Sequence, residues 1–104
     1  MEKNKKEIIE RLIITLNLLE PIKSSYKTIR IWLQREGYTT KSAERVSEMP
    51  VNIMEEYSNF NKNLQKIKNE VKKYGFDNSD EIVIQIVSEE LLKIDKEFPL
   101  VDEL

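Results

Sequence analysis

Two pairs of neighbouring glutamates, Glu55 with Glu56 and Glu89 with Glu90, carry the side chains that acid–base chemistry needs. Adjacent residues on a helix point about 100° apart, so neither pair converges on one substrate without a group from elsewhere in the chain. The chain holds no histidine and no cysteine. Histidine is the usual base near neutral pH and, with cysteine, a principal zinc ligand, so most nucleophile–base pairs and nearly all transition-metal sites are excluded. Disulfides and thiolates are excluded with them, and a cytoplasmic setting is the expectation. Gly37 and Gly75 are the two glycines and stand far apart, with no glycine-rich phosphate loop around either. The expectation is a protein that is not an enzyme, with no catalytic, cofactor-binding or metal-binding residue.

The elements that would position any site are read from the periodicity. Ile8, Ile9, Leu12, Ile13, Leu16 and Leu19 are spaced as one face of a helix over residues 3–19, closed by Pro21. Ile14 and Leu18 widen that face, which predicts a central core helix. Tyr26, Ile29, Trp32 and Leu33 predict a second helix starting after Ser24 or Ser25 as N-cap and ending at Gly37, with Tyr38 folded back on Leu33. Thr39 or Thr40 is placed to cap a short helix through Ala43 and Val46 to about Met49, where Pro50 interrupts. Asn52 and Glu55 resemble a capping box opening the longest helix. Its apolar positions, Ile53, Tyr57, Phe60, Leu64, Ile67, Val71 and Tyr74, alternate spacings of four and three. Gly75 stops that helix and lets Phe76 return to Val71. A last helix follows Asn78 or Ser79, with Val83, Ile86, Val87, Leu91, Ile94 and Phe98 on one face and Pro99 at its end. Residues 81–87 have the β-branched content of a strand, but no second strand is available to pair with them, so helix is the reading. With only two glycines and three prolines in 104 residues, turns are too few for an all-β fold.

The fold expected is therefore all-α: a compact bundle of four main helices plus one short helix, forming a single domain over residues 1–104. Residues 99–104 are expected to be a short tail, dispensable to the core. Lysines open the chain as in a signal peptide, but Glu7, Glu10 and Arg11 interrupt the apolar run that should follow. No uninterrupted apolar stretch exceeds that from Leu12 to Ile14, far short of the roughly 20 residues that span a bilayer. No membrane association is expected.

Charge divides unevenly. Residues 1–76 hold fifteen Lys plus Arg against ten Asp plus Glu, and residues 77–104 hold two against nine. Such asymmetry fits an acidic surface for a basic partner, or an acidic helix covering the protein's own basic face. Two binding readings follow. In the first, a small regulatory protein binds another protein through an acidic face comprising Glu89, Asp95, Glu97, Asp102 and Glu103. In the second, residues 24–49 form a degenerate helix-turn-helix that meets DNA through Thr40, Lys41, Ser42 and Arg45, although Leu33 and Glu36 are misfits at its packing positions. A homodimer is a further option, through the seam of Ile53, Tyr57, Phe60, Leu64, Ile67 and Val71. Against it, Glu56 would face Asn61 and Asn63 would face Lys68, so no charge code specifies a dimer. Many Ile, Lys and Asn beside one alanine suggest a low-GC bacterial or phage gene. The reading favoured is the first, with the partner's identity open.

Overall fold

Apolar residues recurring every three to four positions wind the chain into helices in the computed structural model, which describes residues 2–43 and 49–104. The order is α1 (Glu2–Thr15), α2 (Leu19–Arg35), the short α3 (Thr40–Ala43), α4 (Val51–Lys73) and α5 (Asp80–Glu97), followed by a 3₁₀ turn, Val101–Glu103. The fold is an all-α bundle of four main helices and one short one, with no strand among the described residues. Residues 81–87 are helical within α5.

The first boundary differs from expectation. Asn17 takes the left-handed conformation (φ 54°), which Asn tolerates better than most residues. The Leu18 N–H then donates to the Ile13 carbonyl at 3.0 Å and the Asn17 N–H to the Ile14 carbonyl at 3.0 Å, ending α1 at this asparagine. Pro21 belongs to the next helix, in the first turn of α2, where the N–H it lacks has no intrahelical partner anyway. Ser24 and Ser25 lie inside α2, and Ser25 is buried. α4 likewise starts at Val51 behind Pro50, so Asn52 and Glu55 are helical residues and form no capping box.

Other sequence signals act as expected. At Gly37 (φ 74°) the Tyr38 N–H donates to the Leu33 carbonyl at 3.0 Å, and Tyr38 stacks on Trp32 with ring centroids 5.3 Å apart. Thr39 caps α3 reciprocally: its N–H donates to Ser42 Oγ at 2.8 Å and the Ser42 N–H donates to Thr39 Oγ1 at 3.2 Å. The expected continuation of this helix through Val46 lies outside the described residues. Ser79 stands at the N-cap of α5, but its hydroxyl is buried and bonds to nothing among the described residues.

Among the described residues two apolar clusters hold the bundle. One joins Ile9 and Ile13 of α1 to Ile22, Ile67, Val71, Val83, Ile86 and Val87, all buried. The other is smaller: Ile29 and Leu33 of α2 with Leu100, flanked by Trp32, Tyr38, Ala43 and Tyr57. α1 is not a central helix, because it packs by one face only and leaves Ile8 and Ile14 more than half exposed. Each lies about 100° from its buried neighbour, Ile9 or Ile13. Leu100 is 1% exposed and joins the smaller cluster, so the segment after Pro99 touches the core at this residue, while Val101 and Leu104 are exposed.

Candidate functional site

Tyr26, Arg30 and Leu33 are spaced four and three along α2, which puts an arginine on a buried helix face. Arg30 is 7% exposed, and its guanidinium is fully engaged. Nε donates to the Phe98 carbonyl at 2.8 Å, one terminal nitrogen meets Glu103, and the other lies 3.5 Å from Asp95. Tyr26 donates its hydroxyl to Asp95 at 2.6 Å. Burial, the hydrogen bond to Asp95 and the Asp95 charge together push the Tyr26 phenol far above its ordinary range. Burial alone raises Tyr57.

Arg30 thus ties α2 to α5 and to the segment after Pro99. That segment is gripped at three further points. Gln34 donates to the Pro99 carbonyl at 3.0 Å, the Thr40 N–H donates to Asp102 at 3.0 Å, and the Thr40 hydroxyl donates to the same carboxylate. The two bonds from Thr40 hold the Asp102 carboxyl below its ordinary value. Glu103 also accepts the Leu100 N–H at 3.0 Å, curling the segment over its own buried leucine.

Beside this polar cluster the described residues line a cleft of about 600 Å³. Its walls are mainly apolar: Tyr26, Ile29 and Leu33 from α2, Tyr57 and Phe60 from α4, and Leu100. Asn61 stands exposed at its edge, and Tyr26 meets Phe60 with ring centroids 5.9 Å apart. Pockets of roughly 300–1,000 Å³ with apolar walls and a few polar groups are the usual form of a binding site.

The residues singled out in the sequence are distributed as follows. Of the acidic set, Asp95 and Glu103 meet at Arg30 of α2 and Asp102 is bonded to Thr40 of α3, while Glu89 pairs with Lys6 at 2.7 Å on a separate surface. Glu97 is exposed and makes no ion pair among the described residues. Among the described residues four ion pairs join the basic part of the chain to the acidic part: Lys6–Glu89, Arg30–Asp95, Arg30–Glu103 and Lys72–Asp80. To that extent the acidic half covers the protein's own basic groups. Of the proposed DNA-contacting set, Thr40 is bonded to Asp102 and Ser42 to Thr39, Lys41 is exposed, and Arg45 lies outside the described residues. Of the proposed dimer seam, Ile53, Ile67 and Val71 are buried, and Tyr57, Phe60 and Leu64 are half-buried against the chain's own clusters. Glu90 pairs with Lys93 and diverges from Glu89. Among the described residues no three acidic side chains converge to hold a metal ion, and no helix is long and apolar enough to cross a membrane.

Sequence reasoning missed Arg30 and Leu100. The signal for Arg30 was its spacing from Tyr26 and Leu33. Leu100 gave none beyond being apolar after a proline.

No protein-family model, no curated protein and no solved structure matches the chain.

Proposed function

We propose that the chain is a small regulatory protein without enzymatic activity that acts by binding another protein, and that the contact is made in the cleft between α2 and α4. The observation that carries this reading is the cleft itself: about 600 Å³ walled by Ile29, Leu33, Tyr57 and Phe60. It offers partner side chains an apolar seat, with aromatic groups of the kind that dominate interface energetics. The acidic face read from the sequence has less support as the contact surface. Of its five carboxylates, Glu89, Asp95, Asp102 and Glu103 already have partners within the chain. A cytoplasmic setting goes with this reading.

The test is affinity capture with three full-length chains. Asn61→Trp blocks the cleft from an exposed edge position without touching the buried clusters, and Glu97→Lys alters the acidic face. The reading expects a protein retained by the wild type and by Glu97→Lys but lost by Asn61→Trp. Retention by Asn61→Trp with loss by Glu97→Lys would return the contact to the acidic face.

A further inference from the structure

Residues 98–104 lie across α2 as a bound peptide would, and all five hydrogen bonds between α2 or α3 and this strap run in one direction. Arg30, Gln34 and Thr40 donate; the carbonyls of Phe98 and Pro99 and the carboxylates of Asp102 and Glu103 accept. One apolar side chain, Leu100, anchors the strap between Ile29 and Leu33, while Val101 and Leu104 stay exposed. Main-chain bonds for affinity, an apolar pocket for register and paired acids for specificity are the elements of peptide recognition. With one fully buried apolar side chain, against several on α2 beneath it, and with exposed bonds at Gln34 and Thr40, the strap is the segment expected to open before that helix does.

Building on the reading that the chain binds another protein, we infer that the groove on α2 is the docking site for a partner segment with the strap's own chemistry, a leucine followed one residue later by two acids. Residues 99–104 are its intramolecular competitor. The one-way donor pattern selects this occupant, since a basic segment would bring donors to donors and leave Arg30 facing like charge. The groove and the cleft are continuous, because Arg30, Ile29, Leu33 and Leu100 line both. A partner that lifts the strap therefore gains the leucine site, the arginine and the apolar cleft together.

Tethering to α5 gives the strap an effective concentration on the order of millimolar, which a free peptide must overcome. The experiment measures binding of a fluorescent peptide copying residues 98–104 to the full wild-type chain and to a full-length chain with Leu100→Ala and Glu103→Gln. Binding to the weakened-strap chain is expected to be at least tenfold tighter, and to be lost when the peptide's leucine is replaced by alanine. Equal affinity for the two chains, or no binding to either, overturns the inference. If Asn61→Trp still abolishes protein capture in that case, the cleft reading survives and only the competing strap is lost. Should the weakened-strap chain fail to fold, amide hydrogen exchange on the wild type decides. The Thr40 and Leu100 amides, whose acceptors belong to the strap, should exchange at least tenfold faster than those of Ile29 and Val87, and equal rates overturn the inference. A wild-type dimer that Leu100→Ala converts to monomer would assign the groove to the strap of a second copy, and would also overturn it.

Discussion

The Arg30 guanidinium and the Glu103 carboxylate meet across 73 residues of chain, and Glu103 turns the same oxygen to the Leu100 N–H at 3.0 Å. One arginine thereby fixes both the path of the strap and the depth of its leucine.

Replacing Arg30 with methionine should lower stability by roughly 2–3 kcal/mol, less than the 3–5 kcal/mol for breaking a fully buried pair. The discount follows from water access, because the Asp95 and Glu103 side chains remain 24% and 31% exposed. Urea unfolding measures it. A loss under about 0.5 kcal/mol, the level of an exposed surface pair, would contradict the burial and engagement of Arg30.

Ile67→Ala and Leu100→Ala remove side chains of similar size and equal burial but should not cost the same. Ile67 is enclosed by three helices, and its truncation should cost roughly 2–5 kcal/mol. Leu100 is held by a segment outside the helices, so a displaceable strap predicts that it relaxes over the shortened side chain and that Leu100→Ala costs roughly 1–2 kcal/mol. It should also change the fluorescence of Trp32, the single tryptophan, which packs against the cluster that Leu100 joins. Equal losses at the two positions would make the strap an integral part of the core.

Acid should weaken the strap's contact with Thr40. The Asp102 carboxyl sits below its ordinary value of 3.8 because Thr40 donates two hydrogen bonds to its charged form. A depressed pKa in the docked state means that this contribution is fully present above pH 3.8 and is lost as pH falls through the lowered value. Carboxyl titration by NMR should show Asp102 below the ordinary value, and Thr40→Val should move it back up. An unchanged titration in Thr40→Val would contradict the bond.

At the alkaline end, Tyr26 should stay protonated well above its ordinary value of 10.0, held by burial first and by Asp95 second. A raised pKa in the folded state stabilises the protein fully below pH 10.0, and this stabilisation is lost as pH rises toward the folded value. Ultraviolet titration should show tyrosine ionisation well above the ordinary value of 10.0, with Tyr57 also raised by burial, and Tyr26→Phe should remove the latest phase. Its persistence in Tyr26→Phe would assign it to another tyrosine.

The helices were legible because their signals are local: the three-and-four spacing from Ile53 to Val71, the glycine at 37 with Tyr38 behind it, and a threonine at 39 or 40 ahead of the short helix. The boundary between α1 and α2 is ambiguous in the sequence because a proline such as Pro21 suits a helix's first turn as well as its stop. The mark of that boundary was Asn17, the one residue there that adopts φ above zero with little strain. The strap was illegible for a different reason. Leu100, Asp102 and Glu103 form no periodic pattern, and their roles depend on partners at Ile29, Arg30 and Thr40 that only the folded chain brings near. Of the five acidic residues read as one face, Asp95 and Glu103 hold Arg30 while Glu89 pairs elsewhere with Lys6, and composition alone does not distinguish a carboxylate waiting for a partner from one already engaged.

The most direct test of the central claim is an NMR shift map of the isotope-labelled full chain, titrated with the protein that the wild type captures. Binding through the cleft predicts the largest changes at Ile29, Leu33, Tyr57, Phe60 and Asn61. Changes concentrated instead at Glu89, Glu97 or the exposed residues of α1, with the cleft residues unmoved, would contradict it.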